Sequence, residues 1–368
     1  MAMPKPERFM RSKLPQLINW LNAEWQGKPG VMAAFEPVHL HILTPPSQSA
    51  AAQAHNPVWY GQRNPYRQAS ATQATPGAAV ITEQANTARR LDPQSFEFLL
   101  AQVPTIESLE FSGWGDPLDN PHLFALLQQA KAFNGIHTTV LSPGLVPKAL
   151  YRPLFLSRLD VLAINLISHK PSSYGVVTGQ PSSVFPALLR GVEDLVLVKA
   201  HYPQTSVAIE LRFTVDPLQL DDIPAMIQLA VQLGVDAVRF ENHLEGINER
   251  TLQQLSRRQV QTDALMAKIA SQQYPLRVVL PAPITQNTQF SRNCQELYRT
   301  LSVTEDLRIS PCVRHAVFQT LTTSVWDNHA WNSDEYTWLR RVHNGDANNP
   351  EPLPSACQFC PMNASCEG

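Results

Sequence analysis

Along this chain, short apolar runs alternate with longer stretches in which apolar residues recur every three or four positions. The first long stretch, residues 5–26, carries Phe9, Leu14, Leu17, Ile18, Leu21 and Trp25 at helical spacing. It predicts an amphipathic helix that begins or bends near Pro15. PVHLHILTP (37–45) reads as a first strand. Residues 45–91 lose the pattern: Pro, Ala, Ser, Gln and Thr dominate, large aliphatics are few, and irregular structure is expected. Order returns at Asp92-Pro93, an N-cap and first-turn proline for the helix QSFEFLLAQV. Strand patterns at 108–112, 136–142, 159–167, 206–215 and 236–242 then alternate with helix patterns at 121–134, 145–156, 184–200, 219–233 and 249–272. Six strands, nearly every one followed by a helix, predict a parallel sheet covered by helices and closed or partly closed into a barrel. In such barrels the chemistry sits just beyond the C-terminal ends of the strands.

Composition narrows the function classes. The 368 residues, 43% of them hydrophobic, allow a substantial core in one or two domains. No apolar run reaches the roughly 18 residues of a membrane span. The 29 basic and 31 acidic residues are mixed along the chain, so neither nucleic acid nor an anionic membrane is an expected partner. Proline, at 31 against 15 glycines, predicts stiff connections. No apolar h-region of a secretory signal precedes the body of the chain, which predicts a cytoplasmic, reducing setting and argues against disulfides.

All five cysteines fall in the last fifth of the chain: Cys294, Cys312, Cys357, Cys360 and Cys366. Cys357 and Cys360 form a C-x2-C turn that lets two thiolates grip one metal ion or cluster, and two distant cysteines can complete four ligands. On spacing alone an iron–sulfur cluster and a structural zinc both fit.

Other residues carry a family resemblance. Ser112-Gly113-Trp114-Gly115-Asp116-Pro117-Leu118 resembles the S-G-G-E-P-L segment after the second strand of radical SAM enzymes, with an inserted or shifted residue at Trp114. Residues 163–179 are similar to that family's fourth strand, and 212–243 to its fifth and sixth strand units. The tail resembles the auxiliary-cluster region called SPASM or, when shortened, twitch. The longer form often has a glycine five residues before its second cysteine, where this chain has Leu307. The resemblance covers about 35–368. It implies an N-terminal helical segment (1–36), a partial (β/α)6 TIM-like barrel (37–275) and a small twitch/SPASM-like domain (276–368). It also implies one auxiliary [4Fe–4S] cluster on Cys294, Cys312, Cys357 and Cys360, with Cys366 as a spare. SAM would lie near Gly115, Asp116, Pro117, Asn165 and Arg212. The implied reaction is hydrogen abstraction by a 5′-deoxyadenosyl radical from a peptide or small natural product.

One departure is large. The family's first cluster is held by C-x3-C-x2-C after the first strand, and here that segment has no cysteine. Ser47, Ala51 and Ala54 stand at the spacing, and Ala54-His55-Asn56-Pro57 resembles the C-H-N-P that ends the motif in relatives. Natural loss and deliberate replacement both account for this. Either way the chain as it stands is expected not to make the radical. The alternatives are a pseudoenzyme acting as a recognition subunit for a protein partner, and a zinc-stabilised binding protein.

Several residues have two readings. His39 and His41 share a strand face and could join His55 at a metal or simply fill the barrel. Gly115-Asp116-Pro117 could meet SAM or form only a strand-to-helix turn. Arg212 and Glu241 fit either a cofactor contact or a buried salt bridge. Trp326, Trp331 and Trp338 are expected to cover the tail site, and the stretch 62–91 to face the barrel mouth.

Overall fold

The computed structural model describes residues 37–45, 90–113, 115–178, 181–242, 249–281, 294, 296–310, 331, 334–344, 353 and 357. The helix expected over 5–26 and the irregular stretch up to residue 89 lie outside them.

One sheet of nine strands carries the chain: β1 (His39–Thr44), β2 (Ser108–Gly113), β3 (His137–Ser142), β4 (Val161–Asn165), β5 (Ala208–Val215), β6 (Ala237–Asn242), β7 (Arg277–Val279), β8 (Thr300–Thr304) and β9 (Ile309–Ser310). Their order is β7-β6-β5-β4-β3-β2-β1-β8-β9. β1 to β8 are all parallel, and β9 folds back antiparallel on β8. The main helices are α1 (Pro93–Gln102), α2 (Leu123–Asn134), α3 (Tyr151–Leu156), α4 (Pro171–Thr178), α5 (Val184–Lys199), α6 (Ile223–Leu233), α7 (Glu249–Ala270), α8 (Glu296–Arg299) and α9 (Asp334–Asn344). This is the helix-covered parallel sheet that the alternating pattern predicts. Three strands were not expected: β7, three residues long; β8, which pairs with β1 and carries the sheet past the boundary at 275 read from sequence; and β9, two residues long.

Local signals explain where elements begin and end. Asp92 caps α1 by accepting from the Ser95 backbone N–H at 2.8 Å, with Pro93 in the first turn. Gly135 and Gly234 end α2 and α6 in the left-handed conformation that a side chain disfavours.

The strands read in period two, and the two faces differ. Leu40, Ile42, Leu109, Phe111, Val140, Leu162, Ile164, Ile209, Leu211, Phe213, Val238 and Phe240 are fully buried in one core with the helices. The alternate positions are mostly polar: His39, His41, Ser108, Glu110, Ser112, Thr139, Asn165, Glu210, Arg212, Arg239 and Glu241. They line the concave side, where charged side chains of β2 and β5 meet (below). A helix-covered apolar exterior around a polar interior leaves the barrel able to receive a polar ligand.

The exits of β1 and β2 are pressed together. The Gly115 backbone N–H donates to Thr44 O at 3.2 Å. A Cβ on Gly115 would lie 2.0 Å from Pro45 O, and one on Gly113, at φ +123°, 2.5 Å from Thr44 N. Gly115→Ala should therefore lower the melting temperature, with a cost of about 1–3 kcal/mol for forced overpacking. Gly191→Ala on α5, where the nearest atom is 3.9 Å away, should raise it. Equal shifts for the two variants in thermal unfolding would contradict this packing.

Candidate functional site

Arg212 on β5 is the centre of the barrel interior. Its Nη2 meets Glu110 Oε2 of β2 at 2.9 Å, its Nε meets Glu210 Oε1 at 3.0 Å, and its Nη1 lies 3.8 Å from Glu241 Oε1 of β6. Glu210, 1% exposed, also receives Arg239 Nε at 3.1 Å and Arg277 Nη2 at 3.2 Å. Three guanidinium groups thus face three carboxylates, with Arg212 buried and Arg277 reaching in from an exposed position. Burial pushes the Glu110 carboxyl up, but the Arg212 guanidinium outweighs it and holds the group below the usual carboxylate range. Burial likewise disfavours the Arg212 charge, and Glu110 and Glu241 more than offset it, raising its pKa further. Removing one partner of such a network leaves an uncompensated buried charge, typically costing about 3–5 kcal/mol. Arg212 and Glu241 thus lie within one ion-pair network.

Beside Glu110, strands β8 and β1 and the end of β2 carry polar groups that are mostly uncharged. His41 is register partner to both Ser302 and Glu110. His41 Nδ1, Ser112 Oγ and Ser302 Oγ are buried without a hydrogen-bond partner, and His39 Nδ1 meets Ser108 Oγ at 2.6 Å. Unpaired buried polar atoms are costly and mark places where a ligand or water completes the bonding. Among the described residues no three His, Cys, Asp or Glu side chains converge as a metal site, and His55 lies outside them.

The C-terminal rim holds the sequence-predicted residues. Gly115, Asp116 and Pro117 form the turn after β2, where Asp116 accepts from the Leu118 N–H and from Ser142 Oγ, each at 3.0 Å. That is the turn-forming role, with Ser142 of β3 added. Burial drives the Asp116 carboxyl up to about 7. Asn165 ends β4 half-buried, in register with Arg212. Two residues on, Ile167 sits at φ +65°, a left-handed conformation rare for a β-branched residue. Such strain gathers where a rim is held for function, at a cost of order 1–3 kcal/mol. Pro45, at the exit of β1, is the last residue described before Ser47, Ala51 and Ala54, which lie outside the described residues, as does Trp114.

Two of the tail cysteines belong to one small packing cluster. Buried Cys294 packs in one small cluster with Leu297, Leu339, Tyr298 and half-buried Cys357. Sixty-two residues separate the two cysteines in sequence, so this packing is made by α8 and α9. Buried Arg340 of α9 donates through Nε to Leu297 O at 2.9 Å and sits 4.8–5.1 Å from the ring centres of Trp331, Tyr298 and Tyr336. Burial lowers its pKa to about 10. Trp331 packs against the main core and Arg340, and Trp338 is 37% exposed. Cys312, Cys360, Cys366 and Trp326 lie outside the described residues. Thiolates are soft donors of the type that a cluster or zinc takes. Ser47, Ala51 and Ala54 do not fit the first cluster, since none carries a thiol.

Sequence reasoning did not single out Glu110, Glu210, Arg239 or Glu305. The available signal was charge at alternate positions of otherwise apolar strands, in SLEFS, AIELRFTV and AVRFEN.

Comparison with solved structures gives the fold a class. Streptococcus suis SuiB bound to S-adenosylmethionine is similar over 98% of this chain and 76% of its own, with a TM-score of 0.59 at 13% identity. SuiB bound to its precursor peptide SuiA is similar over 100% and 77%, at 0.59 and 12%. Native anSMEcpe with bound AdoMet is similar over 83% and 84%, at 0.51 and 12%. The chain therefore has the TIM-like partial-barrel fold of the radical SAM type. No family model matches the sequence, and no curated protein does. Among the described residues no helix is long and apolar enough to cross a membrane.

Asp116 gives a pH test. A carboxyl whose pKa is raised from 3.8 to about 7 on folding contributes stability that is fully present below the lower value and lost as pH rises through the upper one. Asp116→Asn lacks that titration. Its melting temperature relative to the parent should climb between pH 4 and 7 and then level off. A difference that stays flat across that window would show the buried carboxyl to be unperturbed.

Proposed function

We propose that this chain is a radical-SAM-type protein in a form that lacks the thiolates of its SAM cluster, with one auxiliary [4Fe–4S] cluster in its tail. The observation that carries the reading is whole-chain likeness to a SAM-bound fold combined with a β1 exit whose motif positions are Ser47, Ala51 and Ala54. Without thiolates there is no open iron for SAM to chelate, so the chain as it stands does not cleave SAM. The tail ligands are Cys294, Cys312, Cys357 and Cys360. The packing of Cys357 against the small cluster that holds Cys294 supports this set, and the cluster would supply electron transfer or help orient substrate.

The substrate class is a peptide. SuiB's complex with SuiA supports that class, and the charged interior around Arg212 offers donors and acceptors to a peptide's polar groups. Gly115, Asp116 and Pro117 shape the rim where SAM would lie, with Asn165 and Arg212 on the wall below. Absence of the thiols favours a second reading, a recognition subunit that binds a peptide or protein partner without turning it over.

Restoring Ser47→Cys, Ala51→Cys and Ala54→Cys, then reconstituting with iron and sulfide, should add a second cluster. Incubation with SAM and a strong reductant should then yield 5′-deoxyadenosine, which the unaltered chain should not. A restored protein that takes up no further iron would overturn the placement of the motif.

A further inference from the structure

A cavity of about 660 Å3 lies on the face opposite the rim, at the N-terminal ends of β4 and β5. That volume is within the range of small-molecule sites. Its walls are the last turn of α2, the turn from α3 into β4 and the link from α5 to β5. Three basic side chains line it, Lys131, Arg158 and His201, and no carboxylate does. The whole chain carries 29 basic and 31 acidic residues, so the bias is local to this cavity.

The packing of the strand ends does not require these groups. Asp160 closes one end by accepting from the Thr138 N–H at 2.7 Å, and Asp236 closes another by accepting from the Ile209 N–H at 2.6 Å. Lys131 is neutralised by Asp160, with which its Nζ is paired. Arg158 differs: it is exposed, and its guanidinium makes no hydrogen bond or ion pair among the described residues. The side chains of Gln204 and Ser206, in the same lining, make none either. His201 Nδ1 donates to Leu197 O at 3.1 Å, which leaves Nε2 for another partner.

An exposed arginine alone is ordinary, but this one shares its cavity with an apolar floor. Phe155, 2% exposed, stacks on half-buried Tyr202 with ring centres 5.7 Å apart and planes 27° apart. Leu156 lines the same cavity and is 62% exposed. We propose that this cavity binds a small organic anion carrying a flat ring, at a site separate from the barrel mouth: Arg158 takes the anionic group, and Tyr202, backed by Phe155, takes the ring. A guanidinium meets a carboxylate or a phosphate with two parallel N–H donors, and an aromatic ring stacks on flat partners of many kinds. Gln204 and Ser206 add uncharged donors to the same cavity. The site is independent of what the mouth or the tail holds.

Two probes test it, each titrated calorimetrically into the full-length protein. Adenosine 5′-monophosphate presents its anion as phosphate, and indole-3-acetate presents it as carboxylate. At least one should bind saturably at one site per chain, and the tighter of the two tells which anionic group the site takes. Arg158→Ala, a change at an exposed position, should weaken that probe about tenfold or more, the usual weight of hydrogen bonds to a charged group. Tyr202→Leu keeps an apolar side chain over Phe155 and should weaken the same probe several-fold. Inorganic phosphate alone should bind about tenfold more weakly than the ring-bearing probe, the usual weight of ring stacking. Should Tyr202→Leu fail to fold, the Arg158→Ala and phosphate comparisons decide alone. Three results each overturn the proposal: no saturable binding of either probe, an affinity indifferent to Arg158→Ala, or inorganic phosphate binding as tightly as the ring-bearing probe.

Discussion

The shape of the interior depends on one ion pair made across it. β2 and β5 are three strands apart, about 14 Å in a flat sheet at the usual strand spacing. Yet Arg212 Nη2 reaches Glu110 Oε2 at 2.9 Å. The sheet must curl for that contact to form. The contact in turn needs Glu210 and Glu241 to share the remaining guanidinium nitrogens. The network draws the β2–β6 wall together, while the β8–β1–β2 wall keeps uncharged polar groups with bonding capacity to spare.

The second constraint is that the tail is part of the barrel. β8 pairs with β1 along its length, and Glu305 at its end meets residues from three places: Leu43, Arg90-Leu91 and Asn120. The same chain then turns through Leu307 into β9, and the residues just before β8 form α8, beside which Cys294 is buried. The β1 edge of the barrel and the start of the tail are therefore joined by buried hydrogen bonds.

Much of this was legible in the residues. Strands such as LDVLAINLI and SVAIELRFTV declare themselves by length and β-branched content, and Asp92-Pro93 marks its helix start by chemistry alone. β8 was harder to see because TLSVT is short and its partner, β1, lies some 260 residues earlier; only tertiary pairing makes it a strand. The Arg212 network was half legible: charges in a buried strand call for partners, but which carboxylates answer depends on curvature. Leu307 is instructive. The resemblance marks it as standing where glycine is common, and the structure finds it at φ +65° and 7% exposed. The leucine tolerates a backbone conformation that favours glycine because its side chain is buried in the core. Glu305 gave no local signal at all, since its partners come from three separate segments.

The functional account stands on what the tail thiols hold. Iron, acid-labile sulfide and zinc, measured together on the full-length protein purified without oxygen, address it directly. The account predicts brown protein with iron and sulfide in equal amounts, one [4Fe–4S] cluster per chain, and negligible zinc. Colourless protein carrying one zinc per chain, without sulfide, would contradict it.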